Sequence, residues 1–541
     1  MTRWIRLPLG ALAALATLTA SNDLIGQPAE NIPVVRQRTV VFDGSGFVGM
    51  GEDKATLPLT IASGQHFTGN RSLAERGGRF VQIYHSNPSG THAVFMRRST
   101  NGSDWSEPVQ VSDPGNGNEA YYGSIRFVGR GSSAINGLVA TYITNDPVTR
   151  QDTLWGTFST DGGATWAPPS VVGAHPDAVS MIPTMTGVGD TVYAVWTRTT
   201  SSDRWDETFI NRSRDGGRTW DTMLVAFPGH HFSFHSHAAA GSNGKVWIAT
   251  TDDQFAKTNI QLSRSTNGGG SFTQVGNLNT ESGLGQPFNL TFFPALEHSS
   301  GNTLYAVWGD QREGQANIYF SRSDNSGTNW TPHLKISGDD SLSPAVNDAG
   351  ASGAIRPSII LSQLGRLYVV WTDDREGPST NEAERNRDVY IVQSLDDGET
   401  WSAPLRVNDA PQVLAQSSPA VAIRSRGVLD SVLVTWNDTR GTLTGVDDDR
   451  TMSGGATANR EMIIASITES GAHLEIAPSL RGEELVITLH DVLGRTVATL
   501  FTGKTNGGAL TIPLELGDRP LTSHFLRARC AGRVVTARIV R

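Results

Sequence analysis

Ser159-Thr160-Asp161-Gly162-Gly163-Ala164-Thr165-Trp166 is a complete hairpin tip in eight residues. Asp161 can turn its carboxylate onto the amides just ahead, the glycines accept positive φ, and Trp166 pins the turn to its own sheet. The pattern returns at Ser213 to Trp220, with Asp215 and Trp220 in the same places, and at Ser394 to Trp401, with Asp396 and Trp401. Weaker copies run from Ser265 to Phe272 and from Ser323 to Trp330, and a shortened one from Ser99 to Trp105. The copies recur at intervals of roughly 50 to 70 residues, and a repeat of about 40 to 50 residues is the length of a four-stranded propeller blade.

The pattern S-x-D-x-G-x-T-W is that of the Asp box, or BNR repeat, and residues 34–468 resemble the sialidase-like propellers. The resemblance implies an all-β, seven-bladed β-propeller, with six blades, as in sialidases proper, as the alternative. Groups repeated in every blade serve the blade, so Asp161, Trp166, Asp215, Trp220, Asp396 and Trp401 are assigned to the scaffold.

Seven units follow one another, each with an inner strand often marked by Pro. The inner strands are expected to contain Leu57-Pro58, Ile125-Arg126, Ile182-Pro183, His235-Ser236, Phe293-Pro294, Arg356-Pro357 and Ser418-Pro419. Second strands show the apolar runs of buried strands at Val192–Trp196, Val246–Thr250, Leu304–Trp308, Leu367–Trp371 and Val432–Trp436. The last unit lacks a tip after its expected third strand, Glu461 to Ile467. Val34 to Phe42, which belongs to no hairpin, is therefore expected to close the ring as the outer strand of that blade, because an open edge is a liability.

With the tips joining third and fourth strands, the loops on the opposite face are free to carry function. At the start of the inner strands the units place Arg126, Ile182, His235, Phe293, Arg356 and Ser418 near the axis. The blade itself does not require an arginine there, so Arg126 and Arg356 are the candidates for gripping a carboxylate or acidic sugar. Sialidases use a Tyr nucleophile, and Glu119 with Tyr121 or Tyr122 supplies the residue types for a tyrosine activated by a carboxylate. Trp308 to Arg312, Trp371 to Arg375 and Trp436 to Arg440 share W-x-D-x-R. Its Asp and Arg can clamp a loop root, or Arg312, Arg375 and Arg440 can bind an anion bidentately.

His235 and His237 alternate along one strand behind His231, residue types that suit ring stacking on a sugar or a metal. The spacing matches no zinc signature, and no metal ligand set is assigned. No cofactor is expected, and the acidic loops Asp373 to Asp388 and Asn437 to Arg460 are the places a Ca²⁺ ion would use. The sialidase Arg-Ile-Pro motif has no counterpart at Thr56-Leu57-Pro58-Leu59.

A net charge of -9 over 541 residues argues against a nucleic-acid partner. Arg3 and Arg6, the apolar Leu7 to Leu18 and Leu18-Thr19-Ala20 read as a signal peptide over residues 1–20. Cys530 is the single cysteine, so no disulfide can form within the chain. Residues 472–541 form a separate small β domain, expected as an Ig-like β-sandwich. It resembles the type A sorting domain of type IX secretion, through L-x-D-x-x-G-R-x-V at Leu489 to Val497 and the basic end Ala537 to Arg541. That resemblance implies passage through the type IX secretion machinery and a secreted or outer-membrane cell-surface location. The expectation is a monomeric, exported, sialidase-like propeller that acts on or binds extracellular glycans. It is either a glycoside hydrolase of sialidase type or a non-catalytic surface propeller that binds a glycan or protein ligand.

Overall fold

The computed structural model describes residues 34–58, 72–86, 92–113, 119–129, 136–146, 151–174, 178–200, 207–228, 233–252, 259–279, 291–313, 316–338, 355–375, 387–409, 416–438, 462–468, 471–476, 481–490, 496–506, 508–512, 524–530 and 533–539. The chain divides into two compact units, Met1–Thr442 and Leu443–Arg541.

The first unit is a seven-bladed β-propeller, not six-bladed. Its inner strands are Leu73–Arg76, Glu119–Phe127, Ala178–Val188, Ser233–Ala240, Thr291–His298, Ile355–Leu361 and Gln416–Arg426. Each packs beside the next, and the seventh packs beside the first, so the ring is closed. Second strands are buried on both faces, which is why they read as unbroken apolar runs: every residue of Leu304–Asp310 and Leu367–Asp373 is buried. Trp196, Trp308, Trp371 and Trp436 lie within these strands, each at most 1% exposed. The core consists of seams between neighbouring blades; Tyr305, Val307 and Phe320 of blade 5 pack with Leu367, Trp371 and Tyr390 of blade 6.

Closure differs from the expectation in two respects. Val34–Asp43 does complete blade 7, but it pairs directly with the second strand, Leu429–Asp438, from Val34 opposite Asp438 to Phe42 opposite Asp430. It thus takes the third position, and Gly46–Met50 and Lys54–Pro58 share the outer one. Glu461 to Ile467 is not a blade strand: Met462–Thr468 pairs with Gly471–Ile476 in the second unit. Leu57-Pro58 likewise lies on the edge of blade 7, and the inner strand of blade 1 is Leu73–Arg76.

The tips are built as the sequence pattern requires. The Ser159 hydroxyl accepts from the Gly163 amide at 2.8 Å, and Asp161 accepts from the Thr165 amide at 3.0 Å and the Thr165 hydroxyl at 2.6 Å. Asp215 and Asp396 repeat this with Thr219 and Thr400; Asn267 and Asn325 accept from the Ser271 and Asn329 amides, and the Asn267 side-chain amide also donates to the Ser271 hydroxyl at 3.0 Å. Gly398 has φ +87°, and a Cβ there would meet the Phe320 ring of the preceding blade at 2.2 Å. Only glycine fits that place.

Each tip is also held by its neighbour. Arg98, Arg264 and Arg322 reach the tip carbonyls of Gly162, Ser326 and Asp397 in the following blade at 3.2, 2.9 and 3.3 Å. Arg212 does the same to Gly268, and Arg424 of blade 7 closes the circle on Thr100. At the seam between blades 2 and 3 the place is taken by Phe158, and Arg218 stacks on its ring at 4.8 Å.

The Thr165 hydroxyl and amide bonds hold Asp161 below the ordinary carboxylate range. At Asp215 and Asp396 slight burial pulls upward but is outweighed by the Thr219 and Thr400 donors, so both are also lowered. A depressed folded-state value gives stability that is complete above the unfolded value and lost as pH falls through the folded one. Melting temperature is therefore expected to drop between about pH 5 and about pH 2, and to drop less in a variant carrying Asp161→Asn, Asp215→Asn and Asp396→Asn. An equal acid dependence in the two proteins would show that other carboxylates dominate.

The second unit contains two antiparallel sheets. One is formed by Met462–Thr468, Gly471–Ile476 and Gly508–Ile512, the other by Thr496–Lys504, Glu484–His490, His524–Cys530 and Arg533–Ile539. The turn Asp491 to Arg495 and the segment 1–20 lie outside the described residues.

Candidate functional site

Every described inner strand from blade 2 to blade 7 carries a β-bulge close to its start, at the end of the ring opposite the tips. A bulge inserts an extra residue and re-aims a side chain. At four of them this residue is not glycine yet adopts the left-handed conformation: Tyr122 (φ 51°), His235 (φ 53°), Phe293 (φ 52°) and Arg356 (φ 55°). All four are only partly buried. The conformation costs about 1–3 kcal/mol for each such residue. Glycine would satisfy the backbone more cheaply, so the side chain has a use of its own.

The residue after each explains how the bulge is held. Gly123 stands where a Cβ would meet Ile83 at 2.7 Å. The Ser236 hydroxyl sits among those of Thr197, Thr208 and Thr250 at 3.0, 2.7 and 3.0 Å. Pro294 and Pro357 fill the position in blades 5 and 6.

These side chains converge on the axis from four blades. The His235 and Phe293 rings lie 4.0 Å apart, and the Arg356 guanidinium is 5.3 Å from the Phe293 ring. Burial, then the charge of Arg356, pulls His235 down to about 3, so its ring is neutral at physiological pH. Burial and then Asp152 raise the Tyr122 phenol, while Arg356 pulls the other way.

Beside the axial ring lies a second group. Glu119, Asn145 and Asp152 form one row across blade 2, with the Asn145 amide donating to Asp152 at 2.7 Å. The Tyr121 hydroxyl donates to Glu119. Burial and then that bond push the Tyr121 phenol up. His85 and His92 of blade 1 pack against it, with ring centroids 5.5 and 4.8 Å from that of Tyr121.

Of the residues singled out from sequence, Glu119, Tyr122, His235 and Arg356 come together at this mouth. Arg126 does not: it pairs with Val139 near the tip end of blade 2, four residues past the bulge and about 13 Å along the strand. Its guanidinium packs where a side chain on Gly187 would stand. The place equivalent to Arg356 is held by Tyr122. His235 and His237 also part company, because the bulge breaks the alternation, and His237 Nδ1 accepts from the Leu296 amide at 3.1 Å. Among the described residues no group of three or more His, Cys, Asp or Glu is placed to hold a metal ion.

Arg312 and Arg375 form the clamp. Asp310 accepts from the Trp308 indole, the Arg312 amide and the Arg312 guanidinium at 3.2, 2.9 and 2.6 Å, and the guanidinium stacks on Tyr319 at 4.2 Å. Asp373 repeats the arrangement with Trp371 and Arg375, which also reaches the Ser337 carbonyl at 2.7 Å. Arg440 lies outside the described residues. Tyr121, named from sequence as the alternative to Tyr122, is the tyrosine that bonds Glu119, and Phe293 lies near the axis as its place in the inner strand implies. His85 and His92 have no role in the sequence reading; their bracketing of one hairpin opposite Tyr121 is the available signal.

The fold and this mouth define an all-β propeller with a polar, aromatic axial site. No family model matches the chain, and no curated protein matches it. Among solved structures it is similar to a polysaccharide lyase, an ulvan lyase, at 11% identity and TM-score 0.41 over 64% of this chain and 82% of that one. An α-L-arabinofuranosidase from Fusarium graminearum aligns at 12% identity and TM-score 0.37, covering 68% and 92%. A leech intramolecular trans-sialidase aligns at 14% identity and TM-score 0.34, covering 70% and 69%. Identities and scores of this size transfer no residue role.

Proposed function

We propose that this protein is an exported propeller that receives an acidic saccharide at the axial mouth. Arg356 grips the carboxylate, and Tyr122, His235 and Phe293 offer ring faces to the sugar. The supporting observation is the convergence of four left-handed, non-glycine bulge residues on one end of the axis. Strain that recurs at one end of a channel, on side chains that differ from blade to blade, marks a site and not a scaffold need.

The test is titration calorimetry with N-acetylneuraminate, glucuronate and galactose. The acidic sugars are expected to bind and galactose not to. Arg356→Gly is expected to weaken the acidic sugars by about tenfold or more, the worth of a charge-assisted hydrogen bond. The same substitution relieves the strained φ and is expected to raise the melting temperature. Equal binding of galactose, or unchanged affinity in Arg356→Gly, would remove the proposal.

A hydrolytic role is favoured by one observation, the Tyr121 hydroxyl donating to Glu119. In that reading the Tyr121 oxygen attacks the anomeric carbon as its proton passes to Glu119 along the existing bond, the glycosidic C–O bond breaks and the aglycone leaves as an alcohol with a proton from water; a second water then cleaves the tyrosyl–sugar bond, and the Tyr121 oxygen regains its proton from Glu119. Turnover of a fluorogenic sialoside, abolished by Tyr121→Phe, is the expected result; intact binding without turnover of any acidic glycoside would leave a binding propeller.

A further inference from the structure

We infer that the mouth extends along the seam between blades 1 and 2 and takes a second, uncharged sugar, so that the preferred ligand is an acidic unit joined to a neutral one. This rests on the axial reading above and adds to it where the adjoining unit sits and what charge it carries.

The first ground is continuity of surface. Consecutive residues on a regular strand point to opposite faces. The bulge at Tyr122 breaks that rule, and the Tyr121 and Tyr122 ring centroids lie only 6.2 Å apart. Tyr121 and Tyr122 are both partly exposed and are backed by two buried rings: His92 lies 4.8 Å from Tyr121, tilted by 36°, and His85 stands edge-on to both tyrosines at 5.5 and 6.0 Å. A ring bound over Arg356 and Phe293 therefore has a second platform beside it.

The second ground is unmet hydrogen-bonding capacity. His92 is 8% exposed, and its buried Nδ1 has no hydrogen-bond partner among the described residues. A buried polar atom of this kind costs stability unless something satisfies it. A sugar hydroxyl reaching the His92 ring after a turn about its side-chain bonds would do so.

The third ground decides the charge. Arg356, on blade 6, is the cationic group of the axial ring. Glu119 and Asp152 stand on blade 2, and both act on Tyr121 as negative charges. A carboxylate seated over Tyr121 and His92 would face them across a short, partly desolvated gap, where like charges repel strongly. A hydroxylated neutral ring meets acceptors instead, and can donate to both.

The experiment is calorimetry on the full chain with three probes: glucuronate, glucuronate joined glycosidically to glucose, and a disaccharide of two uronates. The mixed disaccharide is expected to bind about five- to tenfold tighter than glucuronate, the worth of one or two hydrogen bonds. The diuronide is expected to bind no tighter than glucuronate. His92→Gln and His92→Phe should leave glucuronate affinity within about twofold and erase the gain from the added glucose. The Phe variant keeps the ring packing, and thermal melts of both confirm that the blade is intact. A diuronide that binds tightest, or a mixed disaccharide no better than glucuronate, overturns the inference while the axial reading stands. Absence of all glucuronate binding overturns both.

Discussion

A chain lacking Val34–Asp43 is expected to show no cooperative melting transition for the propeller. This strand makes the longest-range pairing in the ring, joining residues near 40 to residues near 430. Val35, Val40 and Phe42 are 3%, 0% and 2% exposed, and burial of such side chains is worth about 1.5–3 kcal/mol each. Its polar side chains tie both neighbours. Gln37 donates to the Gly102 carbonyl and accepts from the Trp105 indole of blade 1, each at 2.7 Å. Arg38 donates to the Val407 carbonyl and to Asp409 of blade 6, each at 2.6 Å. Losing all of these together removes an amount comparable with a domain's whole stability of about 5–15 kcal/mol. Calorimetry of the truncated chain checks this; a transition within a few degrees of the intact protein would mean that blade 7 holds without its third strand.

The second large effect is expected at Asp373. Its carboxylate is fully buried and accepts from the Trp371 indole at 3.0 Å, the Arg375 amide at 3.0 Å and the Arg375 guanidinium. Asp373→Ala leaves these donors facing a cavity and strands a largely buried cation. Breaking such a pair from one side costs about 3–5 kcal/mol. Arg375→Met should cost a similar amount, because it strands the fully buried Asp373 carboxylate even though Met keeps some packing on Tyr390, where the guanidinium now lies 4.5 Å from the ring. The double variant should be less destabilised than the sum of the two. Denaturant titration of the three variants measures these terms. If Asp373→Ala were to cost under about 1 kcal/mol while abolishing ligand binding, the clamp would be a binding element after all.

Much of this architecture was legible in the sequence because it is carried by short, local chemistry. Asp161, Gly163 and Trp166 define a turn with no help from the rest of the chain, and the Leu304 and Leu367 runs declare strands covered on both faces. What failed was phase and pairing. Leu57-Pro58 resembles Phe293-Pro294 and Arg356-Pro357, but proline is equally at home on a sheet edge, and that is where it lies. Glu461 to Ile467 has the composition of a blade strand, and composition does not choose a partner. Arg126 was set beside Arg356 because Glu119 to Gly123 reads as a loop; these residues are the start of the inner strand, and Arg126 lies at its far end. Part of the mouth was found by residue type, through Glu119, Tyr121 or Tyr122, His235 and Arg356, and the rest depends on backbone geometry that has no sequence signature. The arginine before four of the six tip serines, as in Arg264-Ser265 and Arg322-Ser323, was in plain view; its bond crosses to another blade, which no local reading reveals.

The bulges at Tyr122, His235, Phe293 and Arg356 work as sockets. Their unusual backbone is held by the next residue, a glycine, a serine or a proline, and not by the side chain that is displayed. The occupant can therefore be exchanged without rebuilding the blade, and a change of one residue presents new chemistry at the axis. A family of propellers built on this frame could drift from one ligand to another through single substitutions, each close to neutral for folding. The same interchangeability makes these four positions the natural ones to randomise when a new specificity is sought.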